Sequence, residues 1–440
     1  MFAMPHTTLS AALHLLTGLA ITGLCALAPP LQAQEAIHQS RAGGPNAPSL
    51  GQAQGYPSCV RALVEASCRV GTWSGGLGTE LRSPVQPSAT PWPLHDHPAP
   101  PPVRWRWGLL SQSIGDYMDA TQTTGLLILQ NDQIVAEHYQ YDRQPGMPMR
   151  SFSMAKTFTA MLVGIALDKG LIRSLDDKAL DYWPEIAASA YGQTTLRNLL
   201  RMASGVPFRE LYTWTADDDN WVWGQVLYHP RNANQPQRIE EYLVARKQRE
   251  AEQGQRFHYA SIETEILGRV LRRATGQSIA QLTEAWLWQP MGAEHPAHWQ
   301  RSSTDGAEGT AGSFNASLRD YGRFGLLLAH DGQRGEHSII PRTYVLEATD
   351  AQKQPPAFRP RVATPFMGYG YQTWLLPYKT RTFALQGIHG QTIYVQPDSK
   401  IVMVQTAVHT AASGRQDARP YQYRQALWEG VLKSLGGQVD

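Results

Sequence analysis

Residues 150–172 read RSFSMAKTFTAMLVGIALDKGLI. Phe158, Met161, Leu162 and Ile165 recur at helical spacing, which predicts a helix over residues 155–169, and Gly170 stands where such a helix would stop. Ser153 and Lys156 open this stretch, and a spacing of three sets them on one helix face about one turn apart. A serine hydroxyl is a weak nucleophile until a base takes its proton, and a lysine serves as that base when burial leaves it neutral. Unpaired N–H groups at the helix start would lie beside a developing oxyanion. In the competing reading Ser153 is only a cap and Lys156 a solvated cation, which the helix macrodipole disfavours in a first turn. Ser-x-x-Lys also arises by chance in a long chain, so its surroundings must decide.

Upstream, residues 107–118 read as an amphipathic helix, and residues 125–130 and 133–139 as two strands joined at Asn131-Asp132. Downstream, residues 175–249 are helical and loop-rich, with many aromatics. Strand patterns follow at residues 368–375, 383–387, 392–396 and 401–407, and a closing helix at residues 421–435. Strands from both ends of the catalytic region, with helices between them, predict an α+β fold: an antiparallel sheet completed by distant parts of the chain, flanked by helices, with an inserted mainly helical region.

Four further segments extend the pattern in order: TLRNLLRMASGV at residues 195–206, FHYASIETEILG at 257–268, GSFNASLRDYGRFGLLL at 312–328 and GIHGQTIYVQPDSKIVMV at 387–404. With residues 150–172 they resemble the serine β-lactamase-related hydrolases of class C type, written in the manner of the 6-aminohexanoate-oligomer hydrolases and related esterases. The resemblance spans residues 104–435 and implies a β-lactamase/penicillin-binding-protein-like fold. It implies Ser153 as nucleophile, Lys156 as its base and Tyr259 as a second acid/base. Ser261 takes the place of the family's usual asparagine and can make only some of that amide's hydrogen bonds. His389 stands where β-lactamases and penicillin-binding proteins carry a lysine, so a fixed cation for a substrate carboxylate is missing. The second oxyanion N–H is expected from the same strand, with Ile388 and Gln391 both candidates.

These residues predict hydrolysis of a small ester or amide through an acyl-enzyme, with no cofactor and no metal. A D-amino-acid peptidase or β-lactamase would use the same serine and lysine, and a non-catalytic binding module could keep the fold without turnover. Trp214, Asp217, Asp218, Asp219, Trp221 and Trp223 fall in the inserted region, where the acids could hold a substrate amine and the indoles line an apolar slot.

The rest of the chain sets the context. Its 39 basic and 37 acidic residues are interspersed, which leaves no footprint for nucleic acid. Residues 1–33 contain no Asp, Glu, Lys or Arg and read as a signal peptide, hence an exported, periplasmic or secreted enzyme, with a membrane partner only if the leader stays uncleaved. Residues 34–103 read as an N-terminal extension with a proline-rich linker, and residues 104–440 as the hydrolase domain. Within the linker, His95 and His97 flank Asp96 but supply too few fixed ligands for a metal site. Cys59 and Cys68 form a disulfide only if the chain turns between them, because a straight helix would hold them about 13.5 Å apart; otherwise they are two thiols in a helix over residues 60–66. The oligomeric state is left open.

Overall fold

The run TTGLLILQ at Thr123–Gln130 shows no polar alternation because both faces of its strand are covered. In the computed structural model, which describes residues 35–78, 80–228 and 239–439, it lies inside a nine-stranded sheet. The leader read over residues 1–33 lies outside the described residues. From one edge the order is His38–Ser40, Gln133–Tyr139, Thr123–Gln130, Ile401–Ala407, Gln391–Gln396, Phe383–Gly387, Trp374–Leu375 and Gly368–Tyr369. The ninth strand, His95–Asp96, also pairs with Gln133–Tyr139.

Successive side chains of a strand point to opposite faces, so one strand feeds two cores. Leu127, Leu129, Val402 and Val404 join the core that contains helices Ala155–Asp168 and Leu318–Ala329. Leu126, Ile128 and Met403 face the other way, toward Trp428 and Leu427 of helix Arg419–Ser434. Each such fully buried aliphatic side chain contributes about 1.5–3 kcal/mol of transfer free energy, so two cores on one sheet fix its position firmly.

A second, four-stranded sheet runs Arg82–Val85, Ala297–Gln300, Phe314–Ala316 and Met149–Arg150. Its last strand delivers the chain to Ser153. The Ser151 N–H donates to the Phe314 carbonyl at 2.9 Å, which sets the turn before the helix.

Several expectations are corrected here. Residues 107–118 are not one helix: Trp105–Trp107 pairs with Leu110–Gln112 as a hairpin, and the helix begins only at Ile114. Ser113 and Asp116 form a capping box there, and that local hydrogen bonding sets the start. Residues 368–375 are two short strands around a tip, because the Gln372 side chain is drawn onto the Leu199 and Leu200 carbonyls at 2.9 and 3.1 Å. The sheet is antiparallel except at one edge, where His38–Ser40 and His95–Asp96 both run parallel to Gln133–Tyr139. Parallel neighbours need long crossovers, and the stretch between residues 96 and 133 supplies the one that joins His95–Asp96 to Gln133–Tyr139.

Residues 36–103 therefore place strands in both sheets, and they belong to the same compact unit as the rest of the chain up to residue 440. Cys59 and Cys68 are joined by a disulfide, with Cα atoms 5.6 Å apart. Turns at residues 60–64 and a single 3-10 turn at Ala66–Cys68 replace the alternative helix and bring the two sulfurs together. No helix among the described residues is long and apolar enough to cross a membrane.

Candidate active site

Phe152, just before Ser153, has φ +44°, a left-handed conformation that a bulky residue adopts only when its neighbours enforce it. Those neighbours are visible. The Trp73 ring meets Phe152 edge-on at 5.0 Å, and Gly387 crosses so close that a Cβ there would lie 2.4 Å from the Ser151 carbonyl oxygen. The enforced turn leaves Ser153 partly exposed at the mouth of helix Ala155–Asp168, while Ser151 and Phe152 are buried.

One turn on, the Lys156 Nζ donates to Ser153 Oγ at 2.9 Å and to the Ala311 carbonyl at 2.8 Å. Lys156 is 2% exposed. Loss of hydration lowers its pKa to about 8, against the opposing pull of the Glu210 and Glu265 carboxylates. Glu265 also fixes the lysine's partner, since it accepts the Ala311 N–H at 2.9 Å and is itself paired with Arg269 at 3.1 Å.

Tyr259 precedes helix Ser261–Thr275, and its ring lies 5.2 Å from the Lys156 ammonium. It stacks on Trp374 with ring centroids 5.5 Å apart. Burial raises the phenol well above the usual tyrosine value, Glu210 adds to the rise, and a hydrogen bond with Ser153 offsets part of it. The phenol therefore keeps its proton at neutral pH. Ser261 donates its N–H and its hydroxyl to Glu210, both at 2.8 Å, and the Tyr212 hydroxyl donates to the same carboxylate at 2.8 Å.

The third segment divides its candidates. Ile388 lines the cavity beside Ser153. Gln391 does not: its amide is used within the fold, donating to the Ala407 carbonyl at 2.7 Å and accepting the Ala407 N–H at 3.0 Å. His389 is also turned away from the cavity, because its backbone is left-handed (φ 60°, ψ 21°) and its Nδ1–H donates to the His409 carbonyl at 2.8 Å. Burial pushes its pKa down to about 3, so it is neutral as well as hidden. It packs on Trp73 at 4.7 Å and Phe152 at 5.8 Å and so buttresses the strained turn.

The cavity around Ser153 holds about 490 Å³. Trp214, Trp221 and Trp223 line it as expected, but Asp217, Asp218 and Asp219 do not. Asp218 is fully buried and accepts the Leu211 and Thr213 N–H groups at 3.3 and 3.0 Å, which holds the left-handed Tyr212 and Trp214 in place. Asp219 accepts the Arg209 N–H at 2.7 Å, and Asp217 accepts the Thr215 hydroxyl. The acids that do line the cavity are Glu80, Glu210 and Glu265. Sequence reading missed Glu210 and Tyr212, which stand in no motif. It also missed a wall built by residues 59–81, which includes Val60, Leu63, Trp73, Leu77 and Leu81.

In the linker, Asp96 accepts from His38 at 2.8 Å on the sheet edge. Among the described residues, Cys59, Glu65 and Cys68 cluster with metal-ligating atom types, but the bonded sulfurs offer no thiolate.

The family model described as beta-lactamase matches residues 110–427. The 6-aminohexanoate-dimer hydrolase of Paenarthrobacter ureafaciens is 24% identical over 290 residues, 65% of this chain and 73% of that protein. A solved Bacillus anthracis structure, provisionally described as a 6-aminohexanoate-dimer hydrolase, superposes with a TM-score of 0.72 at 20% identity, covering 84% of this chain and 96% of that one. EstCE1, described as a hydrolase with promiscuous acyltransferase activity, gives a TM-score of 0.55 at 16% identity over 71% of this chain and 96% of its own.

Proposed function

The chain belongs to the β-lactamase family and is a hydrolase of that family, and on that premise we propose that it cleaves a small ester or amide through an acyl-enzyme on Ser153. The observation that carries this reading is the buried Lys156, lowered to about 8 and 2.9 Å from Ser153 Oγ. In its neutral form the amine accepts the serine proton as Oγ attacks the carbonyl carbon. Backbone N–H groups of Ser153 and Ile388 receive the oxyanion, a role supported by the approach of the Gly387 backbone to the Ser153 turn. Tyr259, kept protonated by burial, gives its proton to the leaving group as the tetrahedral intermediate collapses. Lys156 returns the serine's proton to Tyr259; a water then attacks the ester carbon while giving a proton to the neutral Lys156, which passes it to Ser153 Oγ as the acid leaves.

His389 bears on the substrate class. A buried neutral imidazole facing His409 offers no positive charge to a carboxylate, which favours esters and amides without one at that position over β-lactams and D-amino-acid peptides. Export of the enzyme rests on the uncharged leader and is part of the same proposal.

Three substrates test the reading on wild type and Ser153→Ala: a short nitrophenyl ester, a linear aminohexanoate amide and a chromogenic cephalosporin. The expected outcome is ester or amide turnover that exceeds cephalosporin turnover and is lost in the variant. Equal rates for wild type and Ser153→Ala would remove Ser153 from the mechanism.

A further inference from the structure

The wall formed by residues 59–81 lies outside residues 110–427, where the family model matches, yet it borders the same cavity as Ser153. It is made of turns and one short helix, Arg69–Gly75, and three attachments hold it. The disulfide closes it at Cys59 and Cys68. Thr72 Oγ1 receives the Cys59 N–H at 2.9 Å and donates to the Cys59 carbonyl at 3.2 Å. Arg69, 7% exposed, donates to the Ala62 and Leu63 carbonyls within the wall and to the His409 and Thr410 carbonyls behind it, at 3.1 to 3.4 Å. A segment pinned in this way is ordered before substrate arrives, so it lowers the entropy cost of binding.

The cavity face of this wall is largely apolar: Val60, Leu63, Trp73, Leu77 and Leu81 line the cavity, Trp73 touches Phe152 beside Ser153, and the one acid among them, Glu80, is paired with Arg82 at 3.3 Å. Val60 is 82% exposed and Leu81 47% exposed. Large apolar side chains that line a cavity and also face solvent contribute little to folding, and they form a track that becomes covered only when an apolar ligand occupies it. Trp214 and Trp221 border the same cavity, so the track is not confined to one side chain type.

We propose that the disulfide-stapled wall is a specificity element that binds a linear aliphatic chain of the substrate and draws it from Ser153 toward the mouth. The inference rests on the serine-hydrolase reading and adds to it the chemical class of the chain that the site prefers. Each methylene buried along the track favours binding by about fourfold, felt mainly in KM.

Two substrate series test it on the full chain, nitrophenyl esters from acetate to octanoate and alkyl acetates from ethyl to octyl, each with wild type and Val60→Asp. Because Val60 is largely solvent-exposed, the substitution perturbs the track without disturbing the core. In wild type, kcat/KM is expected to rise up to about fifteenfold per added pair of carbons in at least one series, through a falling KM. The series that rises identifies whether the acyl or the alcohol side lies on the track. In Val60→Asp the ratio of octyl to two-carbon substrate is expected to fall about tenfold. Turnover of the short esters with a flat profile in both series, or a Val60→Asp ratio equal to wild type, would overturn the inference and leave the hydrolase reading standing. No turnover of any ester and no acylation of Ser153 would overturn the hydrolase reading and this inference with it.

Discussion

The two sides of the Ser153 cavity are built by different means. On one side, Ser153, Lys156 and Tyr259 stand at the starts of helices Ala155–Asp168 and Ser261–Thr275, backed by the sheet and its core. On the other, residues 59–81 hold a largely apolar wall with turns, the short helix Arg69–Gly75, a disulfide and one buried arginine. Proton transfer tolerates little positional error, and rigid regular elements supply that precision. Contact with an aliphatic chain depends on area rather than on angle, and a stapled segment of turns and one short helix suffices for it. Damage to the first side should therefore strike the chemical step, and damage to the second should strike selection among substrates.

Tyr259→Phe provides the largest contrast. It removes the proposed leaving-group acid and keeps the Trp374 stack, so kcat is expected to fall about 10²- to 10⁴-fold while the ranking of chain lengths persists. Steady-state kinetics on two ester lengths checks this, and a change confined to KM would contradict the role given to the phenol.

A smaller effect is expected from pH. The protonated Lys156 cannot accept the serine proton, so kcat/KM should rise about tenfold per pH unit and level off above about 8. The raised phenol keeps Tyr259 protonated well past that point, so the plateau should not fall off before pH 10. A profile flat between pH 6 and 9 would mean that another group is the base.

The mildest change comes from Cys59→Ser with Cys68→Ser. Opening a loop of this size costs about 2–3 kcal/mol in the chain-entropy account, which thermal unfolding would register. The preference for long over short chains should drop several-fold, more than kcat does. Loss of kcat with unchanged chain-length preference would show that the two sides of the cavity are not separable.

How much of this was legible depended on whether the decisive contacts are local. Ser153 and Lys156 are three residues apart on one helix, and Tyr259 and Ser261 bracket the start of another, so spacing and segment resemblance reached them. Glu210 matters because Ser261 and Tyr212 donate to it, and the 51 residues that separate it from Ser261 hide that contact. The wall at residues 59–81 is built from turns and one seven-residue helix, Arg69–Gly75, too short for a helical period to register. At His389 a left-handed backbone turns the side chain to His409, which a motif position does not reveal. Likewise the edge strands His38–Ser40 and His95–Asp96 are too short for alternation to register. The seven antiparallel strands of the sheet lie within patterns visible beforehand, apart from the tip gripped at Gln372.

The most direct test of the central claim is to quench the enzyme during turnover of a nitrophenyl ester and locate the acyl group by peptide mass spectrometry. The account predicts one acyl mass on the peptide that carries Ser153, absent from Ser153→Ala. An acyl group mapped to any other residue, or equal labelling of Ser153→Ala, would contradict it.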